Sequence, residues 1–427
     1  MEEALLQYIW EHQLFNQHCL KTAAGEDIQI LQPGKLNRHQ GPDFFGALIR
    51  LGETVWCGQV ELHGRTSDWH RHRHTDDPQY SNVILHVVWE DDGHVLDANQ
   101  VLLPSLELKG RVPIQLIHRY REMMNRNQPI VCHSFLPALT PPDWNRWKEK
   151  LLLQRLERKS PRLNEWLSFN GDDWNTVFWW IFFEQTGGKV NGDYFLSLAR
   201  SIPLSLLLKK HLSAIEWEAL LLGQTNLLPV SATDAYLRKL SKEYEYLRYK
   251  YQLTPLSRPP AFLRMRPASF PTLRMAQLAT LLYNHPLFFN ELLSSFSLQQ
   301  WRQQCMVPAG DYWDTHYRAG KISRTVRKAI GQQKVDTLAI NVLLPVFYAY
   351  AQSRGDESLK RKVLAIYYQL PPEINRITQL WNNTGVKNCC SVDSQALTEL
   401  THAFCQSKNC LHCAVGQHIF QPAINPS

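Results

Sequence analysis

The chain has 427 residues, 44% of them hydrophobic, with 14 Trp, only 20 Gly, and 46 Lys+Arg against 39 Asp+Glu for a net charge of +7. That composition excludes a disordered, collagen-like or low-complexity chain and supplies ample core. The charge is unevenly divided: residues 1–110 carry 8 basic against 16 acidic side chains and 9 of the 17 histidines, while the remainder carries a net +15. Such halves point to separate tasks, in about two or three domains for this length.

The start, MEEALLQYIWEHQLF, has two acids where a signal peptide needs a basic stretch. The densest apolar run, Val177–Phe183, has seven residues, against the roughly 20 that span a bilayer. The nine cysteines are odd in number and scattered outside one C-terminal group, unlike a secreted disulfide framework. These features predict a cytoplasmic protein without a membrane partner, and they leave the oligomeric state open.

In chain order, Glu2–Leu20 places Leu5, Leu6, Ile9, Trp10 and Leu14 at helical spacing. Short β-prone runs follow at Ile28–Leu31, Phe44–Leu51, Thr54–His63, Val83–Glu90 and Val101–Leu108, separated by Gly- and Pro-containing turns. Gly52-Glu53 predicts a hairpin between the second and third runs, and Asp92-Gly93 a short return at His94–Leu96. From about Pro113 the period turns helical, over Asp143–Arg158, Trp174–Gln185, Ile215–Leu222, Ala232–Tyr251, Leu273–Leu282 and Lys334–Tyr350. The expected class is α+β: an α/β domain over 1–112, a basic helical region over 113–388, and a Cys-containing segment over 389–427.

Gly41-Pro42-Asp43 leads into one strand of the expected hairpin, and Gln59-Val60-Glu61-Leu62-His63 ends the other. Side chains alternate along a strand, so Gln59, Glu61 and His63 share a face, and the hairpin brings Asp43 towards Glu61. Two carboxylates at neighbouring strand ends suit a hard cation such as Mg²⁺ or Mn²⁺, which keeps part of its shell for phosphate. Pro42-Asp43 followed by Glu61-Leu62-His63 resembles the signature of the PD-(D/E)xK nuclease superfamily. The resemblance implies a restriction-endonuclease-like domain with Asp43, Glu61 and His63 as its catalytic group and Glu11 as the helix carboxylate some members add. Two departures stand out: His63 occupies the lysine position, and Gly64–Tyr80 is short and polar for the helix expected before the fourth strand.

Downstream, His70, His72 and His74 alternate and Asp77 follows, while His86 sits in an apolar strand where an unpaired imidazole is costly. His70 reads as an exposed loop residue. His72, His74, Asp77 and His86, with Asp43 and Glu61, form a candidate metal-ligand set. The strings GPDF, GQVELH and WHRHRHTDDPQYSNVILHVV, with RMRPASFP further on and the C-terminal cysteines, resemble an uncharacterised bacterial family, domain of unknown function 2851. That kinship implies no particular chemistry.

Three basic runs lie in the helical region, within Arg146–Arg162, Arg238–Arg274 and Arg318–Lys334, the second interleaved with Tyr244, Tyr246, Tyr249 and Tyr251. Such runs can neutralise phosphates while tyrosines stack on bases. Arg264, Arg266 and Arg274 form the most compact candidate phosphate site. At the C-terminus, Cys405-x4-Cys410-x2-Cys413 has metal-ligand spacing for Zn²⁺ or a [4Fe–4S] cluster, with His402, His412, Cys389 or Cys390 as fourth ligand and Cys390 chosen.

Taken together, the sequence predicts a divalent-metal-dependent nuclease or related phosphoesterase acting on nucleic acid. The alternatives are a non-catalytic nucleic-acid-binding or scaffold protein, and a His/Asp metal-dependent hydrolase of another substrate.

Overall fold

Helix α1 spans Glu3–Glu11 and buries Leu5, Leu6, Ile9 and Trp10. It stops well short of the expected Leu20. Its last turn carries Glu11 and no basic residue, so nothing there complements the negative end of the helix dipole. Gln13 then adopts a left-handed φ of 51°, which redirects the chain. The computed structural model describes residues 1–420 apart from 98, 139, 204, 205, 207–211 and 230–233.

Six strands follow: β1 (Ile28–Gln32), β2 (Lys35–Leu36), β3 (Phe44–Leu51), β4 (Thr54–Arg65), β5 (Val83–Glu90) and β6 (Ser105–Glu107). They form one mixed sheet in the order β1-β3-β4-β5-β6, with β2 paired to β3. The β3–β4 hairpin closes at Leu51 opposite Thr54, around the Gly52-Glu53 turn. β5 pairs in parallel with both β4 and β6. A return from Asp92-Gly93 onto β5 does not form. Instead Leu96 bridges Leu102, and β6 takes the free edge of β5. The burial of β5 from Leu85 to Val88 is that of a strand covered on both faces, as parallel strands are. Pro104 has no N–H to give, and the expected Val101–Leu108 strand shortens to the three residues after it.

Two irregularities bracket the strand ends that carry the candidate site. β3 shifts register between Phe44 and Ala47, where Gly46 has φ 66°. β4 shifts against β5 between Gln59 and Val60. Bulges of this kind re-aim the side chains beside them. The β4–β5 crossover holds only a one-turn helix, α2 (Asp68–Arg71), and two 3₁₀ turns, His74–Asp76 and Pro78–Tyr80. Helix α3 (Ile114–Asn125) lies beyond the sheet.

The chain divides into two units: residues 1–147 with the C-terminal residues from 400, and residues 148–399. The α/β unit therefore runs past the expected limit at 112 and takes back the C-terminus.

The second unit is helical, and its core explains the tryptophan count. Helix Trp174–Ser201, broken by a kink at Gly188 (φ 63°, ψ −160°), is capped at its start by Asp173, whose carboxylate accepts from the amides of Asn175 and Thr176. Its stretch Val177–Phe183 is apolar on every side and buried throughout, so it forms the centre of the unit. Phe178, Phe182 and Phe288 contact Trp301 there, Phe288 by stacking at 5.7 Å. The remaining expected helices appear as Pro141–Phe169, Ala214–Gln224, Ala235–Lys250 and Pro271–Asn284, while Gln332–Arg354 is interrupted by a π turn over Ala339–Leu343. The expected start at Ala232 lies outside the described residues. No described helix is long and apolar enough to cross a membrane.

Candidate metal centre

Glu61 and His63 lie two residues apart on β4, so their side chains leave the same face, and both are buried. β5 sets His86 opposite Glu61 in parallel register. The ring nitrogens His63 Nδ1 and His86 Nε2 meet at 2.8 Å. The crossover loop covers this face with two more imidazoles. His72 Nδ1 is 3.0 Å from His63 Nε2, and His74 Nε2 is 3.5 Å from Glu61 Oε1. Glu61 Oε1 is also 3.5 Å from His63 Nε2. One ligand atom from each of His63, His72 and His74 lies within 4.8 Å of the others.

The loop achieves this through backbone geometry that the alternating histidines disguised. α2 leaves His70 exposed. Arg73 then takes a left-handed φ of 62°, unusual outside glycine, and the 3₁₀ turn begins at His74. Aromatic walls hold His74: the Tyr80 ring stacks on it at 3.9 Å and Trp69 meets it edge-on at 5.3 Å. Trp69 is itself fixed, its indole N–H donating to Thr75 Oγ1. Sequence reasoning gave Trp69 and Tyr80 no role, although both occur in the quoted histidine string.

Asp43 stands at the start of β3. Its backbone amide donates to Glu61 Oε2 at 3.0 Å, and its own Oδ2 accepts from the Leu62 amide at 3.0 Å. Gln7 of α1 donates to Asp43 Oδ1 at 2.7 Å. The helix acid whose charge reaches this pair is Glu3, one turn from Gln7, and not Glu11. Glu11 lies eight residues on, roughly 12 Å along the axis. Asp77 caps the second 3₁₀ turn, accepting from the Gln79 amide, and acts on His74 through its charge.

Burial and then mutual repulsion raise the Glu61 carboxyl, and burial followed by the charge of Glu3 raises Asp43. Burial and the neighbouring imidazoles lower His63, while burial lowers His74 to about 4 and His86 to about 3. Neutral imidazoles at His63, His74 and His86, with the carboxyls of buried Glu61 and half-buried Asp43, form a cluster that a cation would relieve. His74 Nε2 is buried and has no hydrogen bond, its 3.5 Å approach to Glu61 notwithstanding. When His63 Nδ1–H donates to His86 Nε2, His63 Nε2 is left with its lone pair facing the cluster, so His86 orients a ligand instead of serving as one.

The basic helices look different. Lys148 pairs with Asp393 at 2.8 Å, Arg155 and Arg158 both pair with Glu399, and Arg162 pairs with Glu184. Lys328 Nζ donates to the carbonyls of Trp313 and Asp314, and Lys334 to that of Gln185. Arg264 and Arg266 are exposed, whereas half-buried Arg274 turns to Gln277 Oε1 at 2.8 Å, and burial lowers it to about 10. Tyr244 is buried, its hydroxyl donating to Gln224 Oε1 at 2.8 Å. Tyr246 and Tyr249 are exposed.

Among the thiols, Cys390 lies beside Asp393 and Lys148 in the helical unit, whereas Cys405, Cys410 and Cys413 belong to the α/β unit. The companion those three have there is Cys132.

No curated protein and no solved structure matches the chain, so the likeness to PD-(D/E)xK nucleases rests on the motif and the strand arrangement alone. A match over residues 3–376, nearly the whole chain, shows that it belongs to the family described as "Protein of unknown function (DUF2851)".

Proposed function

We propose that the α/β unit is a metal-dependent hydrolase of phosphoesters, with Glu61, His63, His72 and His74 as ligands of one divalent transition metal. The observation that carries this reading is that one ligand atom from each of His63, His72 and His74 lies within 4.8 Å of the others, with Glu61 beside two of them. Glu61 Oε1 is 3.5 Å from both His63 Nε2 and His74 Nε2, and His72 Nδ1 is 3.0 Å from His63 Nε2. Atoms bound to one ion at about 2.1 Å stand roughly 3.0–3.5 Å from one another. A nitrogen-rich donor set suits Zn²⁺, Mn²⁺ or Fe²⁺ better than the all-oxygen shell that Mg²⁺ prefers. Such an ion lowers the pKa of a bound water and polarises a phosphoryl oxygen.

Asp43 has a positioning role in this scheme, since both its oxygens already accept hydrogen bonds. Exposed Arg73 beside His72 puts positive charge where a phosphate would arrive, whereas Arg71 on its other side is paired with Asp68 at 3.0 Å. Nucleic acid is the phosphoester the motif favours. The internal pairing of many helical-region cations removes part of the support for a long strand track, so small phosphate esters belong in the same test.

The experiment is cleavage of labelled DNA, labelled RNA and p-nitrophenyl phosphate esters by the full chain, with Mn²⁺, Zn²⁺, Fe²⁺ or Mg²⁺ added. Turnover that disappears in His74→Ala supports the reading. Metal binding without turnover of any of these substrates makes the unit a non-catalytic metal site and overturns it.

A further inference from the structure

Four cysteines of the α/β unit come together from segments more than 260 residues apart in sequence. Cys132 follows α3 in the loop before the short 3₁₀ helix His133–Ala138. Cys405 ends the π turn Thr401–Cys405, Cys410 opens the 3₁₀ turn Cys410–His412, and Cys413 directly precedes helix Ala414–Phe420. Cys132, Cys410 and Cys413 are buried, Cys405 is half-buried, and all are free thiols. The 3₁₀ helix after Cys132 and the 3₁₀ turn that Cys410 opens both pack against helix Ala414–Phe420, and the turn that Cys405 ends packs against the Cys410 turn. No three of the sulfurs gather within 4.8 Å of one another, so the thiols ring a space wider than one ion fills.

Buried Val415, Ile419 and Phe420 help to hold these pieces together, the Phe420 ring lying 5.8 Å from that of Tyr120. Lys408 Nζ donates to the carbonyl of Met124, and Arg119 Nη1 to that of Ile419. Gly416 lies directly against the Cys410 carbonyl, and a Cβ there would come within 2.0 Å of its oxygen. The amides of Val415 and Gly416 donate to the Cys413 sulfur. Arg126 acts on Cys132 and Lys408 on Cys410, both favouring thiolate. Four thiolates around a dication carry excess negative charge, and these two cations offset it.

We propose that Cys132, Cys405, Cys410 and Cys413 are the four ligands of one thiolate-bound [4Fe–4S] cluster that fastens residues 400–420 to the segment after α3. Thiols give up their protons when they bind a metal, which links this part of the fold to the metal. The centre is independent of the imidazole cluster, because the two share no residue.

The test is elemental analysis and visible spectroscopy of the full chain purified without oxygen, as wild type and as Cys132→Ser, with Cys390→Ser as control. The proposal expects about four irons with acid-labile sulfide and a visible absorption bleached by dithionite. That metal is lost in Cys132→Ser and kept in Cys390→Ser and in His74→Ala. Should Cys132→Ser fail to fold, titration of folded wild type with a mercurial reagent gives the same answer, since thiolate-bound iron is released in step with thiol modification. Wild type without iron beyond what His74→Ala removes, zinc in place of iron, or release that does not track the thiols, overturns it.

Discussion

Asp43 and Glu61 hold each other's strand: the Asp43 amide donates to Glu61 Oε2 at 3.0 Å, and the Leu62 amide donates to Asp43 Oδ2 at 3.0 Å. This exchange leaves Glu61 Oε1 facing the imidazoles while both Asp43 oxygens are engaged. The two acids should therefore respond unequally to loss of charge. Glu61→Gln is expected to weaken Mn²⁺ or Zn²⁺ binding by more than about 100-fold, and Asp43→Asn by about 10–100-fold, the range for outer-shell partners. Isothermal titration calorimetry on the purified chains measures both. Equal losses would instead make Asp43 a direct ligand and return the site to the two-carboxylate form expected from the sequence.

Arg73 touches no ligand atom in the cluster, yet its left-handed φ of 62° places His72 and His74 on the same point. Glycine adopts that conformation freely, and asparagine tolerates it without the charge. Proline locks φ near −65° and cannot. Metal affinity should survive Arg73→Gly and Arg73→Asn, and fall at least about tenfold in Arg73→Pro with unchanged far-UV circular dichroism. A loss in Arg73→Asn equal to that in Arg73→Pro would show that charge, and not backbone geometry, is what matters at this position.

The legibility of this protein in its sequence follows the range of the interactions involved. The β3–β4 hairpin was readable because Gly52-Glu53 and two alternating runs are local signals, and Val177–Phe183 was readable as helix core because it is apolar throughout. The Asp43–Glu61 approach followed from that hairpin. Convergence of His63 with His72 and His74 did not, since it depends on a parallel β4–β5 pairing and on one positive φ at Arg73. Cys132 was missed for a similar reason. Spacing identifies ligands within a segment, and the fourth thiol comes from 273 residues before Cys405. Charge counts along the basic runs do not see partners such as Glu399, which takes up two of the arginines.

Tyr244 illustrates the same point in the helical unit, and it carries its own prediction. Its ring lies over Gly223, where an added Cβ would come within 2.1 Å of the ring. Ala in place of a helical Gly ordinarily gains up to about 1 kcal/mol, whereas overpacking costs about 1–3 kcal/mol. Gly223→Ala should therefore destabilise by about 1–2 kcal/mol in urea unfolding. Combined with Tyr244→Ala, its extra cost should vanish, because the clash has lost its partner. Strict additivity of the two substitutions would mean that the ring is not what excludes a side chain at Gly223.

Glu218 provides a pH dependence of the helical unit itself. Its Oε1 accepts from Trp313 Nε1 at 2.8 Å and Tyr236 Oη at 3.0 Å. Burial outweighs both donors and raises the carboxyl from 4.5 to about 7. The folded protein thus holds a proton that the unfolded chain releases above about 4.5, and folding is favoured while that proton stays bound. This contribution is complete below about pH 4.5 and is lost as pH rises to about 7, a change of about 3 kcal/mol at most. Glu218→Gln keeps an acceptor oxygen for the same donors but has no proton to lose. Relative to wild type, its unfolding free energy should rise between about pH 5 and about pH 8, with most of the change complete by about pH 7. A constant difference across that range would mean that Glu218 is already ionised in the folded protein, with Tyr236 and Trp313 stabilising the charge.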